Sequence, residues 1–186
     1  MPLQTKRAIA ESFKKLLSKR ELKKITVQDI VDDCGVNRQT FYYHFHDVYE
    51  LMEWLFQDAA DTLLGEQQDY KDWNKGVYMV MNSLWENRTL VYNAYHSLSH
   101  KAVTNYMKRT LWPYMLRVVQ AEAEGMMPPA APEDIEFVTE LLTLSVVGMI
   151  HEWIEKEKKE IPDIQLEKLL KAAHGSIPFM LKNLQE

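Results

Sequence analysis

Apolar side chains recur along most of the chain at the three- and four-residue spacing of amphipathic helices. The first stripe predicts a helix from about Thr5 to Arg20 and consists of Ile9, Phe13, Leu16 and Leu17. Similar stripes continue toward the C-terminus, and we find no alternating β-branched runs long enough to indicate strands. The 186 residues include only 6 Gly and 7 Pro, so few positions break a helix. We therefore predict an all-α fold.

Two short helices joined by a tight turn are predicted near residues 25–45. Thr26 is suited to cap the first, because its hydroxyl can accept a backbone N–H of the opening turn. Gly35 tolerates the left-handed conformation that ends many helices, and Asn37 is suited to cap the next helix. With the N-terminal helix packed across them, these elements predict a three-helix domain that contains a helix-turn-helix.

The outward face of the second short helix is rich in groups that donate hydrogen bonds to phosphates and base edges. Arg38 and Gln39 lie in its first turn, where Arg suits O6 and N7 of guanine and Gln suits N6 and N7 of adenine. The alternative is that these are ordinary exposed polar residues, and the surrounding motif favours function. The predicted DNA-binding residues on this face are Arg38, Gln39, Thr40, Tyr42, Tyr43 and His44.

This motif resembles that of the TetR/AcrR family of transcriptional regulators. The matching residues are Cys34-Gly35-Val36, Asn37, Thr40, Phe41 through Phe45 and Asp47 through Leu51. The resemblance implies a helix-turn-helix DNA-binding domain over 1–47 and a larger helical effector-binding and dimerisation domain over 48–186. It also implies DNA contacts by Thr26 and Gln28 at the start of the first short helix, where family members touch the DNA backbone and sometimes a base. Val48 departs from the family pattern, which commonly has Lys there, and this predicts weaker salt-dependent binding. Gly148-Met-Ile-His-Glu-Trp-Ile154 resembles the branch that includes dihydroxyacetone-kinase operon regulators.

The charge of the chain is divided unevenly. Residues 1–46 carry 9 Lys and Arg against 5 Asp and Glu, for a charge of +4, whereas the remainder carries −9 and the whole chain −5. Such asymmetry is typical of nucleic-acid binding by the basic segment. The alternative is that the lysines of this segment only form the solvated side of a helix.

The composition also indicates a cellular setting. The single cysteine, Cys34, excludes an intramolecular disulfide framework and favours a reducing, cytoplasmic location. The opening residues lack the apolar stretch of a signal peptide. Charged residues interrupt every apolar segment, so we expect no membrane partner.

The larger domain is rich in bulky, adaptable apolar side chains with a few polar groups among them. As a group they suit an apolar cavity for a small-molecule effector, and the family resemblance implies such a cavity. For any single residue, a place in the helical core is the better interpretation. The predicted effector-pocket residues are Met81, Trp85, Tyr92, Tyr95, His96, Met107, Trp112, Met115, Phe137 and Leu141.

Two histidines four residues apart, His96 and His100, could share a metal ion. No carboxylate or cysteine stands at a matching spacing, and structural metal sites need about four ligands. We therefore expect surface histidines here and predict neither a metal nor a cofactor.

The last two long predicted helices carry apolar stripes that suit a four-helix dimer interface. The alternative is that these stripes fill the core of the single chain, and both interpretations can hold in part. The predicted interface residues are Leu142, Met149, Trp153, Leu166, Leu170 and Ile177. A dimer also suits DNA reading, because one short helix reads too few bases for useful specificity.

The sequence thus predicts a TetR-like, cytoplasmic regulator that binds double-stranded DNA as a homodimer at a palindromic operator. Its usual mechanism would be a small apolar or amphipathic effector that shifts the population of DNA-binding and non-binding forms. The alternative is a TetR-like coregulator controlled by a protein partner, with no small-molecule effector. An enzyme is not predicted, since neither a Ser-His-Asp order nor a Gly-rich phosphate loop occurs.

Overall fold

The computed structural model of the protein describes residues 2–65, 73–156, 168, 171 and 175–185. These residues form helices and connecting turns, and no strand occurs among them. The predicted all-α fold is confirmed. The helices are α1 (Pro2–Leu17), α2 (Val27–Cys34), α3 (Arg38–His44), α4 (Val48–Gly65), α5 (Trp73–Glu86), α6 (Arg88–Tyr95), α7 (His100–Ala123), α8 (Pro132–Glu155) and α9 (Ser176–Leu184).

The chain forms two compact units, and neither is a continuous stretch of sequence. The N-terminal unit comprises residues 1–62 and 83–103, and the C-terminal unit comprises 63–82 and 104–186. The N-terminal unit therefore includes α6 as well as α1, the two helices of the helix-turn-helix and most of α4. Leu90 and Ala94 of α6 belong to its apolar core, and Asn93 Nδ2 donates a hydrogen bond to the carbonyl oxygen of Leu17 at 2.8 Å.

The core of the N-terminal unit holds α2 and α3 in place. Phe13 of α1 and Phe41 of α3 are fully buried, as the apolar pattern predicts. Ser12 Oγ donates to the carbonyl of Ile30 at 3.1 Å, and Arg20 pairs with Asp29 at 3.0 Å. These contacts connect α1 and the segment that follows it with the first half of α2, so the helix-turn-helix rests on a fixed support.

A lysine also contributes to this support. Lys6 Nζ lies 5.0 Å from the ring centroid of Phe45 and 4.8 Å from that of Trp54 on α4. The two rings are 5.9 Å apart, so the ammonium group contacts both aromatic faces. Cation–π contacts of this kind stabilise by about 0.5–2 kcal/mol.

In the C-terminal unit, α8 packs one side against its neighbours. His151 Nε2 and Thr104 Oγ1 of α7 are hydrogen-bonded at 2.9 Å, and Lys108 Nζ donates to Glu140 at 3.0 Å. At the other end of the unit, Gln185 Nε2 donates to the carbonyl of Pro129 at 2.9 Å.

The length and hydropathy of α8 differ from the expectation that every apolar segment is too short or too charged to span a bilayer. By length and composition alone, Pro132–Glu155 could cross a membrane, and half of its most apolar window is buried inside the protein. A core helix of a soluble protein can have the same length and apolar composition, so these two properties alone are weak evidence for a membrane span.

Candidate nucleic-acid interface

The ends of α2 are fixed by local chemistry. The backbone N–H of Asp29 donates to Thr26 Oγ1 at 3.2 Å, and the backbone N–H of Thr26 donates to Asp29 Oδ2 at 2.8 Å. This reciprocal pair is a capping box. Gly35 ends the helix with φ 72° and ψ 24°, in the left-handed region. Both the cap and the turn predicted from the sequence are confirmed.

The following helix, α3, begins in the same way. Its N-cap Asn37 accepts the backbone N–H of Thr40 through Oδ1 at 2.8 Å. A successive residue is rotated by about 100° around an α-helix, and the buried Phe41 therefore fixes which side faces outward. Because α3 is short and anchored by Phe41, its outward residues are presented on a rigid element.

The outward face of α3 has a centre and two flanks. Gln39 and Tyr43 lie at the centre, and Tyr43 is 77% exposed. By the same 100° rotation, Arg38 and Tyr42 share one flank, and Tyr42 is 51% exposed. The other flank consists of Thr40 and His44, which are half-buried. The side chains that project furthest from the domain are thus those of the centre and of the Arg38 flank.

Three of the predicted DNA contacts are already engaged within the chain. Thr26 Oγ1 donates its proton to Asp29 Oδ2 at 2.6 Å, and Thr40 Oγ1 donates to Asn37 Oδ1 at 3.0 Å. Gln28 Nε2 donates to Asp32 Oδ1 at 2.7 Å. A threonine hydroxyl carries one proton. The hydroxyls of Thr26 and Thr40 must therefore each release the internal acceptor before they donate to a phosphate.

Arg38 and Gln39 differ from Thr26, Gln28 and Thr40 in the hydrogen bonding of their side chains. Both are exposed, and within the part of the chain that the structure describes neither side chain makes a hydrogen bond. Their donors are therefore available to a nucleic acid without the loss of an internal contact. The side chains at the start of α3 can thus donate to DNA directly, whereas those of Thr26, Gln28 and Thr40 already donate hydrogen bonds within the chain.

Carboxylates of the same unit reduce its positive charge. Hydrogen bonds from the side chain and backbone of Thr26, together with Arg20, lower the pKa of Asp29 to about 2. Lys23 and Lys24 lower the pKa of Glu21 to about 2 through hydrogen bonds. A hydrogen bond from Lys15 is the main cause that lowers the pKa of Asp33. All three carboxylates are ionised at neutral pH.

The predicted effector-pocket residues are divided between the two units. The C-terminal unit contains a partly open cavity of about 30 Å³, and two of the predicted residues line it, Met81 and Met115. Phe137 and Leu141 are instead 58% and 44% exposed on α8. Met107 and Trp112 are half-buried on α7. The other four predicted residues belong to the N-terminal unit and are Trp85, Tyr92, Tyr95 and His96.

Aliphatic side chains, which the sequence analysis did not select, form most of the cavity wall. They include Leu64, Val77, Val80, Leu111, Val118 and Val146, with Tyr114 beside them. Large aromatic residues were the predicted lining because they are common in ligand pockets. Periodicity would have shown that these aliphatic residues point inward, but not that a void lies among them.

The predicted interface residues fall into three groups. Trp153 and Ile177 are 6% and 1% exposed within the single chain, so they contribute to its own core. Leu142 and Met149 are half-buried. Leu166 and Leu170 lie outside the described residues.

The apolar residues that α8 leaves exposed form another stripe. Phe137, Leu141 and Leu144 follow at i, i+4 and i+7, and the two leucines are each 44% exposed. The exposed Gly148 follows four residues later. On α9, Phe179 is 65% exposed.

The two histidines considered for a metal site stand on different elements. His96 follows the last residue of α6, whereas His100 opens α7. The His96 ring packs on that of Tyr92 with centroids 4.1 Å apart. Among the described residues, no group of three His, Cys, Asp or Glu side chains is placed to hold a metal ion.

Comparison with known proteins places both parts of the chain. Residues 9–53 match the family "Bacterial regulatory proteins, tetR family", and residues 71–175 match "Transcriptional regulator C-terminal region". A relative in Lactococcus lactis subsp. lactis, the HTH-type dhaKLM operon transcriptional activator DhaS, is 32% identical over 84 residues. That alignment covers 45% of each protein, so the chain matches less than half the length of this curated relative.

Solved structures share the fold over nearly the whole chain. The dihydroxyacetone kinase operon activator DhaS superposes with a TM-score of 0.66 at 21% identity, covering 97% of this chain and 95% of that one. A TetR transcriptional regulator from Streptococcus agalactiae 2603V gives 0.61 at 22% identity, covering 95% and 94%. Native NalD, the secondary repressor of the MexAB-OprM efflux pump of Pseudomonas aeruginosa, gives 0.61 at 16% identity, covering 92% and 95%.

Members of the matched family are transcriptional regulators and not enzymes; they bind DNA and act as dimers. The helix-turn-helix described above lies inside the first matched segment, and the second matched segment alone covers more than half of the chain. The chain belongs to the TetR family of bacterial transcriptional regulators.

Proposed function

We propose that the protein regulates transcription as a homodimer that binds a palindromic operator, with α3 of each subunit in a major groove. The observation that carries this proposal is the exposure of Arg38 and Gln39, with free donors, on the first turn of a capped helix. In helix-turn-helix dimers the two half-sites lie about 34–36 Å apart, one turn of DNA. The basic charge of residues 1–46 supports the same surface.

The geometry supports a division of roles on this surface. Arg38 and Gln39 read base edges, since bidentate contacts of these residue types discriminate bases by about 1–3 kcal/mol each. Tyr42 and Tyr43 contact the sugar–phosphate backbone. Phosphate contacts fix the register of a protein on DNA without reading its sequence.

The remaining predicted contacts surround this centre. Thr26 and Thr40 reach phosphates by exchanging the internal acceptors described above for phosphate oxygens. Gln28 keeps its bond to Asp32 and donates the second proton of Nε2. His44 is half-buried on the far flank, and its ring packs on Tyr43 with centroids 5.0 Å apart. We assign His44 a backbone contact.

The dimer uses the exposed stripe of α8. Phe137, Leu141 and Leu144 present apolar area to solvent in the single chain, and contiguous exposed apolar patches mark interaction sites. The exposed Gly148, next along the stripe, permits close approach of a second helix. Together with the chain's last helices, two copies would form a four-helix interface.

Selection of bound duplexes from a random DNA pool, at near-physiological salt, tests the proposal. Recovery of an inverted repeat is the expected result, and its half-site spacing would report the separation of the two copies of α3. Recovery of unrelated sequences would show that the protein does not read bases, and the operator proposal would then be wrong.

The cavity in the C-terminal unit bears on how the protein is controlled. A cavity of about 30 Å³ holds roughly one water-sized group, whereas sites for drug-sized ligands measure about 300–1,000 Å³. Within the described residues, the size of this cavity favours control by a protein partner over control by a small apolar effector. A small effector would have to enlarge the cavity as it binds.

The two mechanisms differ in how the isolated protein behaves. Control by a partner predicts that purified protein binds the selected duplex with an affinity that no fraction of small cellular metabolites changes. A metabolite fraction that changes the affinity would support the effector mechanism. The similar proteins include an operon activator and an efflux-pump repressor, and a promoter–reporter fusion would distinguish these two modes.

A further inference from the structure

A groove lies beside the recognition helix in the N-terminal unit. Its volume is about 190 Å³, which is large enough for one sugar–phosphate unit but shallow and open. Leu22, Ile25, Val27 and Val48 supply its apolar lining, Tyr42 and Tyr49 supply its aromatic lining, and Lys23, His46 and Asp47 supply its polar and ionisable groups. The two tyrosines are 51% and 48% exposed.

The groove continues the surface that faces DNA in the proposed function. Tyr42 belongs both to the Arg38 flank of α3 and to the groove lining. A DNA strand that runs along this flank would therefore pass from α3 into the groove. The inference below rests on the proposed function for this reason.

We propose that the groove seats one sugar–phosphate unit of the operator strand, and that Lys23 supplies the cation for its phosphate. The tyrosine rings and the apolar lining contact the carbon face of the deoxyribose, and the phenol hydroxyls donate to the phosphate oxygens. Lys23 thus provides the charge that Val48 does not.

The start of α4, which is the other candidate for this phosphate, is already occupied by the chain's own carboxylates. Asp47 Oδ1 accepts the backbone N–H of Glu50 at 2.8 Å. The Glu50 carboxylate in turn accepts the backbone N–H of His46. These two N–H groups are therefore not available to a phosphate, and because Asp47 also lines the groove, the phosphate needs a cation from another element.

Lys23 is suited to this role because its present partner is shared. Lys23 Nζ lies 2.6 Å from one oxygen of Glu21, and Lys24 Nζ lies 2.9 Å from the other. One carboxylate between two lysines leaves a net positive charge. Lys23 can therefore turn to a phosphate while Lys24 still neutralises Glu21.

The same pair provides a matched control. The side chains of Lys23 and Lys24 are 61% and 62% exposed and both contact Glu21, but only Lys23 lines the groove. Lys23→Ala and Lys24→Ala thus remove the same charge from neighbouring exposed positions. Neither change touches the core, and equal thermal melting of both variants would verify this.

The test measures the affinity of each protein for the selected duplex as a function of salt. A lost phosphate contact lowers the slope of log K against log salt by about 0.9. We expect this loss for Lys23→Ala, with equal weakening on cognate and unrelated duplexes. Lys24→Ala should lower the slope less, because it keeps the groove lysine but leaves Lys23 as the only one of the two lysines beside Glu21. In a second series, single phosphates of the duplex are replaced by neutral methylphosphonates. Replacement at one phosphate position should weaken DNA binding by the wild type and by Lys24→Ala but leave binding by Lys23→Ala unchanged.

The outcomes separate this inference from the operator proposal. If the two variants had equal slopes, or differed at no phosphate position, the lysines would act only through general electrostatic attraction to DNA. Either result would overturn the groove assignment. Sequence-specific binding by the wild type would still support the operator proposal. Failure of the wild type to bind any duplex would overturn both.

Discussion

The cavity in the C-terminal unit allows a paired test of core packing. Val118 lines the cavity and is 5% exposed, whereas its neighbour Val119 is fully buried and does not line it. Replacement of either valine by leucine adds one methylene group to the interior. Since the two changes are chemically identical, a difference between them reports the local space alone.

The expected magnitudes follow from the volume. A void of about 30 Å³ destabilises a protein by roughly 0.7 kcal/mol at about 24 cal/mol per Å³, and a buried methylene contributes roughly 0.8 kcal/mol by transfer. Val118→Leu should therefore leave the free energy of unfolding unchanged or raise it by up to about 1 kcal/mol. Val119→Leu should lower it by about 1–3 kcal/mol, because it overpacks a filled site.

Urea unfolding monitored by circular dichroism measures both values. Protein concentration has to be the same for all three proteins, because association of subunits adds to the apparent stability. Equal destabilisation by the two substitutions would refute the reasoning, since it would mean that the space beside Val118 cannot accept a methylene group. The same variants also test control of the protein: if a small effector uses this cavity, Val118→Leu should weaken its effect on DNA affinity while Val119→Leu should not.

Three further substitutions test, in turn, the DNA surface, the N-terminal cap of α2 and the dimer surface. Arg38→Ala should weaken binding to the selected duplex by about 1–3 kcal/mol and relax one base position; equal loss on all sequences, seen by fluorescence anisotropy, would assign Arg38 to the backbone instead. Asp29→Asn should lower the free energy of unfolding by roughly 0.3–1 kcal/mol above pH 4. The pKa of Asp29 is lowered from 3.8 to about 2, so the wild type's advantage should shrink as the pH falls from 4 to 2; a difference independent of pH in this window would contradict the assignment. Leu141→Glu should shift the protein to monomers in sedimentation velocity, and an unchanged dimer would exclude the α8 stripe as its interface.

The helix-turn-helix could be predicted from sequence because its determinants are local. Thr26, Gly35 and Asn37 act on backbone groups within a few residues, so each cap is fixed by chemistry that the sequence displays directly. Phe41 and Phe45 are large, apolar and correctly spaced, which leaves one orientation for α3. The outward face, with Arg38 at its start, follows from that orientation.

The cavity and the exposed face of α8 could not be predicted in the same way, because α8 is apolar on more than one side. One stripe contains Leu142 and Trp153, and another contains Phe137 and Leu141. Periodicity identifies both stripes but not which one the chain's own helices cover. That choice depends on contacts between residues far apart in sequence, such as Thr104 with His151.

The place of α6 in the N-terminal unit has a consequence for synthesis on the ribosome. Residues 83–103 complete the core around Leu17, and the chain reaches them only after it has left the unit at residue 62. At 5–20 residues per second, the wait for these residues lasts about 2–8 s. During that time the helix-turn-helix has been translated but lacks the packing of Leu90 and Ala94. The DNA-binding unit is therefore completed only after the whole first segment of the second unit, residues 63–82, has been translated.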